Sequence, residues 1–232
     1  MLTTAKLAAE QAQEAAQGNR GRLMIGSIPG AAVSFLPEAL SRFRQQHPLV
    51  ETTVLLANNR EQVEGVLDGS IMLGIGYYLF ALQEDEAEQV CMRFVRRSRV
   101  GIVCPKNWRF LRPGAVRLAD FCHDKFLSLD PKYSFGYEQW LRNLCRHLGN
   151  FEPDIAAVAN SADSLAGMVA AGRGIYVGAE LGILAREQVW RPVSDYHPLT
   201  EPESHIDWFA IWKKASRVQP AISNFIDILV AD

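Results

Sequence analysis

The fold that this sequence predicts is an α/β protein of two lobes, and three observations predict it. Short apolar strand-like runs alternate with amphipathic helix-like runs along the chain. The alternation happens twice, with extended segments joining the two halves. With 232 residues, 48% of them hydrophobic, there is enough material to bury one large core or two small ones.

Residues 2–17 are rich in Ala, Glu, Gln and Lys, all strong helix formers, and Gly18-Asn19 ends the run. Its stripe of Ala5, Ala8, Ala9, Ala12 and Ala16 is too weakly apolar to build a core. A helix of this length is marginal by itself, so the segment reads either as a frayed leader or as the end of a longer pairing helix. Arg22–Ser27 is the first strand, followed by a loop with Pro29-Gly30. An amphipathic helix then carries Phe35, Leu36, Leu40 and Phe43, and His47-Pro48 stops it. Val50–Leu56 is a strand, Val63, Val66 and Leu67 mark a helix ended by Gly69, and Ile71–Gly76 is a strand apolar enough for burial on both faces.

Val100–Cys104, stopped by Pro105, is a further strand, after which the pattern restarts. Phe126–Leu129 is a strand, and Trp140, Leu141, Leu144 and Leu148 line a helix. Ile155–Ala159 is a strand, Leu165, Met168 and Val169 mark a helix closed by Gly172, and Gly174–Gly178 is a strand. Ile206–Trp212 is a strong strand, and Ile222, Phe225, Ile226 and Leu229 sit at helical spacing.

Composition narrows the function. Net charge is −2 with 22% charged residues, so no global field favours nucleic acid or a membrane surface. Cys91, Cys104, Cys122 and Cys145 lack any repeated spacing and read as reduced thiols. Cys122-His123 and Cys145-Arg146-His147 do not match usual zinc-ligand spacing. The start has no apolar signal-peptide core and no stretch is long enough to span a bilayer, which predicts a cytoplasmic protein. Gly74-Ile75-Gly76-Tyr77-Tyr78 lacks the third glycine of a dinucleotide loop, no Walker loop or nucleophile elbow is present, and no cofactor or metal is expected. With no converging nucleophile and base, the chain is not expected to be an enzyme.

Residues 21–76 resemble the start of LysR-type regulatory domains. The shared elements are Gly21-Arg22-Leu23-Met24-Ile25-Gly26, Leu36-Pro37-Glu38-Ala39-Leu40-Ser41-Arg42-Phe43, Pro48-Leu49-Val50 and Val66-Leu67-Asp68-Gly69. Ser164–Ile175 resembles that family's helix-Ala-Gly-x-Gly-Ile turn, and the alanine-rich opening resembles the end of its dimerising linker helix. Two departures are local: Met72 stands where the family often has an acid, and Ala179 where it often has Pro.

The resemblance implies two Rossmann-like lobes of type 2 periplasmic-binding-protein kind, joined by two crossover strands near Arg99–Cys104 and Pro198–Ile206. Residues 1–20 would be the linker-helix remnant, 21–99 with 205–232 the first lobe and 100–204 the second. It also implies a small-molecule effector, a homodimer or homotetramer using strand 50–56 and helix 61–68, and DNA contact only through an upstream winged helix-turn-helix missing from these residues. A solute-binding protein of a transporter is the alternative, and a pure oligomerisation module is a third reading.

Ligands of open α/β sheets bind beyond the carboxyl ends of strands. Two such turns stand out: Ser27-Ile28-Pro29-Gly30, and Asn160-Ser161 before the 163–171 helix. Helix starts offer free N–H groups and partial positive charge, so two of them facing an inter-lobe cleft are expected to hold an anionic metabolite there. The plainer alternative is that Ser27 and Ser161 only cap their helices. Tyr77 and Tyr78 offer ring faces and hydroxyls, or else pack a strand end. Asp130, Tyr133 and Ser134 follow the 126–129 strand, with Lys132 beside them to neutralise an anion or simply to be solvated. Val103, Val177 and Gly178 complete the predicted effector-binding set, the glycine permitting close backbone approach. Asn58 and Asn59 read as turn residues first. The basic run Arg93, Arg96, Arg97 and Arg99 reads as a charged surface face.

Overall fold

Strand residues Leu23, Ile25, Leu73 and Ile75 are wholly buried, as parallel strands covered on both faces require. The computed structural model describes residues 13, 17–78, 81–108, 114–215 and 219–231. The predicted linker helix therefore lies almost entirely outside the described residues. In chain order the strands are β1 (Arg20–Ser27), β2 (Leu49–Leu56), β3 (Leu73–Gly76), β4 (Val90–Pro105), β5 (Lys125–Leu129), β6 (Asp154–Ala159), β7 (Tyr176–Ala179), β8 (Ser194–Pro198) and β9 (His205–Lys213). The helices are α1 (Pro29–Ser34), α2 (Leu36–Gln46), α3 (Asn59–Asp68), α4 (Glu84–Ala87), α5 (Tyr137–Leu144), α6 (Ala162–Ala170), α7 (Glu180–Leu184), α8 (Glu187–Trp190) and α9 (Pro220–Val230).

The chain forms two units. Met1–Gly76, Leu82–Arg96 and Phe209–Asp232 make the first, and Tyr77–Ala81 with Arg97–Trp208 the second. The backbone passes from one to the other inside β4 and inside β9. In the first unit β1 pairs in parallel with β2 and β3, setting Leu23 opposite Thr52 and Ile25 opposite Leu73, while β9 runs antiparallel to β3. Phe43 of α2 meets Phe225 of α9 edge-on at 5.2 Å. Asn58 caps α3 through a reciprocal box with Glu61, and Arg60 forks onto Glu86 of α4 at 2.7 and 2.6 Å. That pair holds Glu86 below the usual carboxylate range.

In the second unit, β4 pairs antiparallel with both β7 and β8, so that Val103 faces Tyr176 on one side and Tyr196 on the other. β5 and β6 form a separate parallel pair. The core of this unit gathers Ile102, Phe121, Phe126, Leu141, Val169 and Ile175. Among the described residues no helix is long and apolar enough to cross a membrane.

Two local expectations change. The helix predicted through Phe35 is two helices that break at that residue. Pro37 has no N–H to offer the carbonyl of Val33, so the first helix cannot continue through it. The strand expected at Val100–Cys104 starts at Val90 and takes in the basic run, which keeps its exposed charged face and meets residues far away in sequence. Arg93 pairs with Asp227 at 3.2 Å, Arg97 with Asp207 at 2.6 Å, and Arg96 lies 4.4 Å over the Phe35 ring.

Candidate functional site

The predicted effector residues fall into two sets, one in each unit. In the first, Ser27 ends β1 and is wholly buried. Its carbonyl accepts from Ala57 N–H at 3.1 Å, and Ile28 N–H donates to the carbonyl of Ile75 at 3.3 Å, so both neighbouring strands hold the turn. The Ser27 hydroxyl donates to the carbonyl of Ile28 at 3.1 Å. It does not cap a helix: Ile28 occupies the N-cap of α1, which has no side-chain cap and begins with Pro29. Gly30 lies in the first turn and accepts from Ser34 Oγ at 2.7 Å. At six residues, α1 is too short to build much of a dipole.

The second unit gathers more. Ser161 is the N-cap of α6 and accepts from Ser164 N–H at 3.1 Å. Ser164 Oγ in turn lies 3.1 Å from Asn160 Oδ1 and 3.2 Å from Ser161 N–H, which closes a capping box. Ser161 thus caps its helix, as the sequence allowed. The Tyr133 phenol lies near the first turn of that helix, where Ala162 N–H and the charge of Arg186 both act to lower its pKa. Burial raises the pKa of Tyr133 despite both interactions, so it remains a neutral hydroxyl.

Backbone turns place the neighbouring residues. Asp130 N–H donates to the Ala159 carbonyl at 2.8 Å, tying the end of β5 to the end of β6. The Asp130 carbonyl accepts from Tyr133 and Ser134 N–H at 2.8 and 2.9 Å, and its carboxylate accepts from Lys132 N–H at 2.8 Å. Ser134 Oγ lies 3.3 Å from the Tyr77 hydroxyl, and the Tyr77 ring meets Trp208 edge-on at 5.4 Å. Burial raises the pKa of Tyr77 and Tyr78 alike, and Tyr78 is buried.

Val103 and Val177 are wholly buried in the core of the second unit, where packing accounts for both. Gly178 lies under the ring of Tyr176, and a Cβ there would stand 2.5 Å from that ring. The Tyr176 ring also stacks on Tyr137 at 5.7 Å, whose hydroxyl donates to the Val177 carbonyl at 2.8 Å. Tyr137, Ser164 and Arg186 neighbour the predicted residues but were not singled out from the sequence. Ser164 had a signal, being three residues after an N-cap serine. Arg186 had none, because it lies over twenty residues from α6's start.

Comparison with known proteins places this geometry. The family model for the LysR substrate binding domain matches residues 16–232. The HTH-type transcriptional regulator YnfL of Escherichia coli (strain K12) is 25% identical over 221 residues, covering 94% of this chain and 70% of that protein. Among solved structures, full-length CbnR complexed with its target DNA aligns over 100% of this chain and 78% of its own, at TM-score 0.79 and 18% identity. The effector binding domain of QuiR in complex with shikimate aligns over 91% of this chain and 96% of its own, at TM-score 0.76 and 16% identity. The fold is therefore the type 2 periplasmic-binding-protein-like α/β fold, as expected from the sequence.

Proposed function

From the premise that this chain belongs to the LysR substrate-binding-domain family, we propose that it is the effector-sensing and oligomerisation domain of a transcription regulator. It holds a small anionic metabolite at the start of α6 in the second unit. The observation that carries this reading is the grouping there of a capped helix start, the Tyr133 phenol and the charge of Arg186. A helix start supplies partial positive charge, a guanidinium supplies directed donors for a carboxylate, and a neutral phenol supplies one more hydrogen bond. QuiR, which shares the fold, is complexed with shikimate, itself a carboxylate. The ligand must bind one arrangement of the regulator better than another, since equal affinity for both shifts nothing.

Control of transcription follows from the relatives. YnfL is a transcriptional regulator and CbnR is a LysR-family regulator solved with target DNA, which favours this reading over a transporter's solute-binding protein. DNA contact would come from an N-terminal winged helix-turn-helix, and the place of action is the cytoplasm. The chain is not an enzyme on this reading. The Ser27 hydroxyl is committed to a carbonyl, and burial pushes the Cys104 and Cys145 thiols up to about 12, which keeps them un-ionised at neutral pH. For self-association, β2 is the outer strand of its sheet and leaves Leu49, Leu55 and Leu56 exposed, a face suited to a second copy. A strictly monomeric mass in light scattering at high concentration removes that part.

The test is a thermal-shift screen of carboxylated metabolites, ring-bearing ones included, on the wild-type chain and on Arg186→Ala. One carboxylate raises the melting temperature saturably, and its affinity falls roughly 30-fold in the variant, as expected for a lost charge-assisted hydrogen bond of about 2 kcal/mol. Equal binding by both proteins overturns the placement at α6, and binding of no carboxylate overturns the ligand class.

A further inference from the structure

Of the arginines in β4, Arg93 and Arg97 each meet a carboxylate, Asp227 at 3.2 Å and Asp207 at 2.6 Å. Arg96 meets none. Among the described residues its guanidinium has one neighbour that answers its charge, the Phe35 ring, whose centroid lies 4.4 Å from Cζ. The side chain is half-buried, and its Nε is sealed from solvent with no hydrogen-bond partner. The terminal nitrogens are not sealed, and no oxygen of the described residues bonds them.

Phe35 is a fixed platform. It is buried at the break between α1 and α2, its N–H donates to the Ala31 carbonyl, and its own carbonyl accepts from Ala39 N–H at 3.3 Å. An aromatic ring attracts a cation but offers no lone pair in return. The five N–H donors of the guanidinium are therefore left for another acceptor. Packing alone does not explain this choice of residue. An apolar side chain over Phe35 would fill the same space without stranding a donor, and a half-buried charge normally has its partner beside it.

We propose that Arg96, held over Phe35, is an anion-binding group of the first unit that takes a small oxyanion, carboxylate or phosphate, on its terminal N–H groups. Arginine suits that task, because its planar fork gives an oxyanion two parallel hydrogen bonds while the ring holds its charge in place. Arg96 and Phe35 both belong to the first unit, whereas the start of α6 belongs to the second. The site is therefore separate from the one proposed above and does not depend on the regulatory reading.

The test is a titration of the ligand-free chain with acetate, benzoate and inorganic phosphate in turn, each against sodium chloride at equal ionic strength. The readout is the side-chain ¹H–¹⁵N signal of Arg96 Nε, assigned by its loss in Arg96→Lys. At least one of the three anions should move that signal saturably, and chloride should not. A response to either carboxylate without phosphate identifies a carboxylate as the occupant, and one to phosphate alone identifies a phosphate. A response to both identifies the oxyanion they share. Arg96→Lys keeps the charge but loses the fork, so affinity read from the backbone amides of Phe35 and Val95 should fall roughly 10-fold. In Arg186→Ala that affinity should not change. No response to any of the three, a response that chloride reproduces, or equal affinity in Arg96→Lys overturns the site. Binding at α6 is read from Arg186→Ala alone, so either site can fail without the other.

Discussion

Each unit contains a strand that runs through a serine into a helix, and the two serines do different work. Ser27 is sealed at the end of β1 between two parallel neighbours, with its hydroxyl spent on the adjacent carbonyl. Ser161 stands at the rim of its unit, half-exposed, and holds a nine-residue helix through a reciprocal box. The difference comes from the strands. β1 lies between β2 and β3 and ends at Ser27 itself, still inside the sheet, whereas β6 pairs with β5 alone among the described strands and ends at buried Ala159, two residues before Ser161. One residue type in one motif can thus be packing material or a polar terminus, depending on how many strands flank it.

Substitutions sharpen this contrast. The largest effect is expected from Ser27→Leu, which forces a large side chain into a site with no exposed surface. Overpacking should cost about 3 kcal/mol, read as a drop in denaturant midpoint at unchanged slope. A Ser27→Leu protein as stable as wild type would mean that the first turn is open like the second.

Next is Glu86→Gln, which breaks the fork from Arg60 in the first unit. The loss should be about 1.5 kcal/mol at neutral pH. Because Arg60 lowers the pKa of Glu86 beneath its ordinary 4.5, the wild-type advantage is complete above that value and disappears as pH falls through the lowered one. Chemical melts of both proteins between pH 7 and pH 3 should converge at the acid end, and curves that stay parallel would contradict the pairing. The exposed Lys125–Asp154 and Arg146–Glu152 pairs of the second unit should contribute far less.

The smallest effect is expected from Ser161→Ala, about 1 kcal/mol from the lost cap, or roughly 2–4 °C in melting temperature for a chain of this size. Ser161→Asp should restore most of it, since aspartate caps as well as serine. A loss larger than that of Ser27→Leu would invert the comparison.

The alternation of short apolar runs with helical ones was enough to place most strands and helices, because period and turn residues are local properties of the chain. It also marked Ser161 as a cap. The ordered motifs from Gly21 to Gly76 carried the family. The chain's own letters did not show that Pro37 would divide a helix in two, or that Val90–Arg99 would extend β4, because the charged run pairs with residues more than a hundred positions away. Nor did they show which hydroxyls are committed and which stand at a helix start. Ser27 is closed off by β2 and β3, Tyr133 lies near the first turn of α6, and Arg186 arrives from the α7–α8 segment. Propensity and periodicity are decided within a few residues, and so the sequence alone determined the elements and their order. A polar atom's partner is decided by whatever the fold brings within hydrogen-bond reach, and only the tertiary structure could settle that.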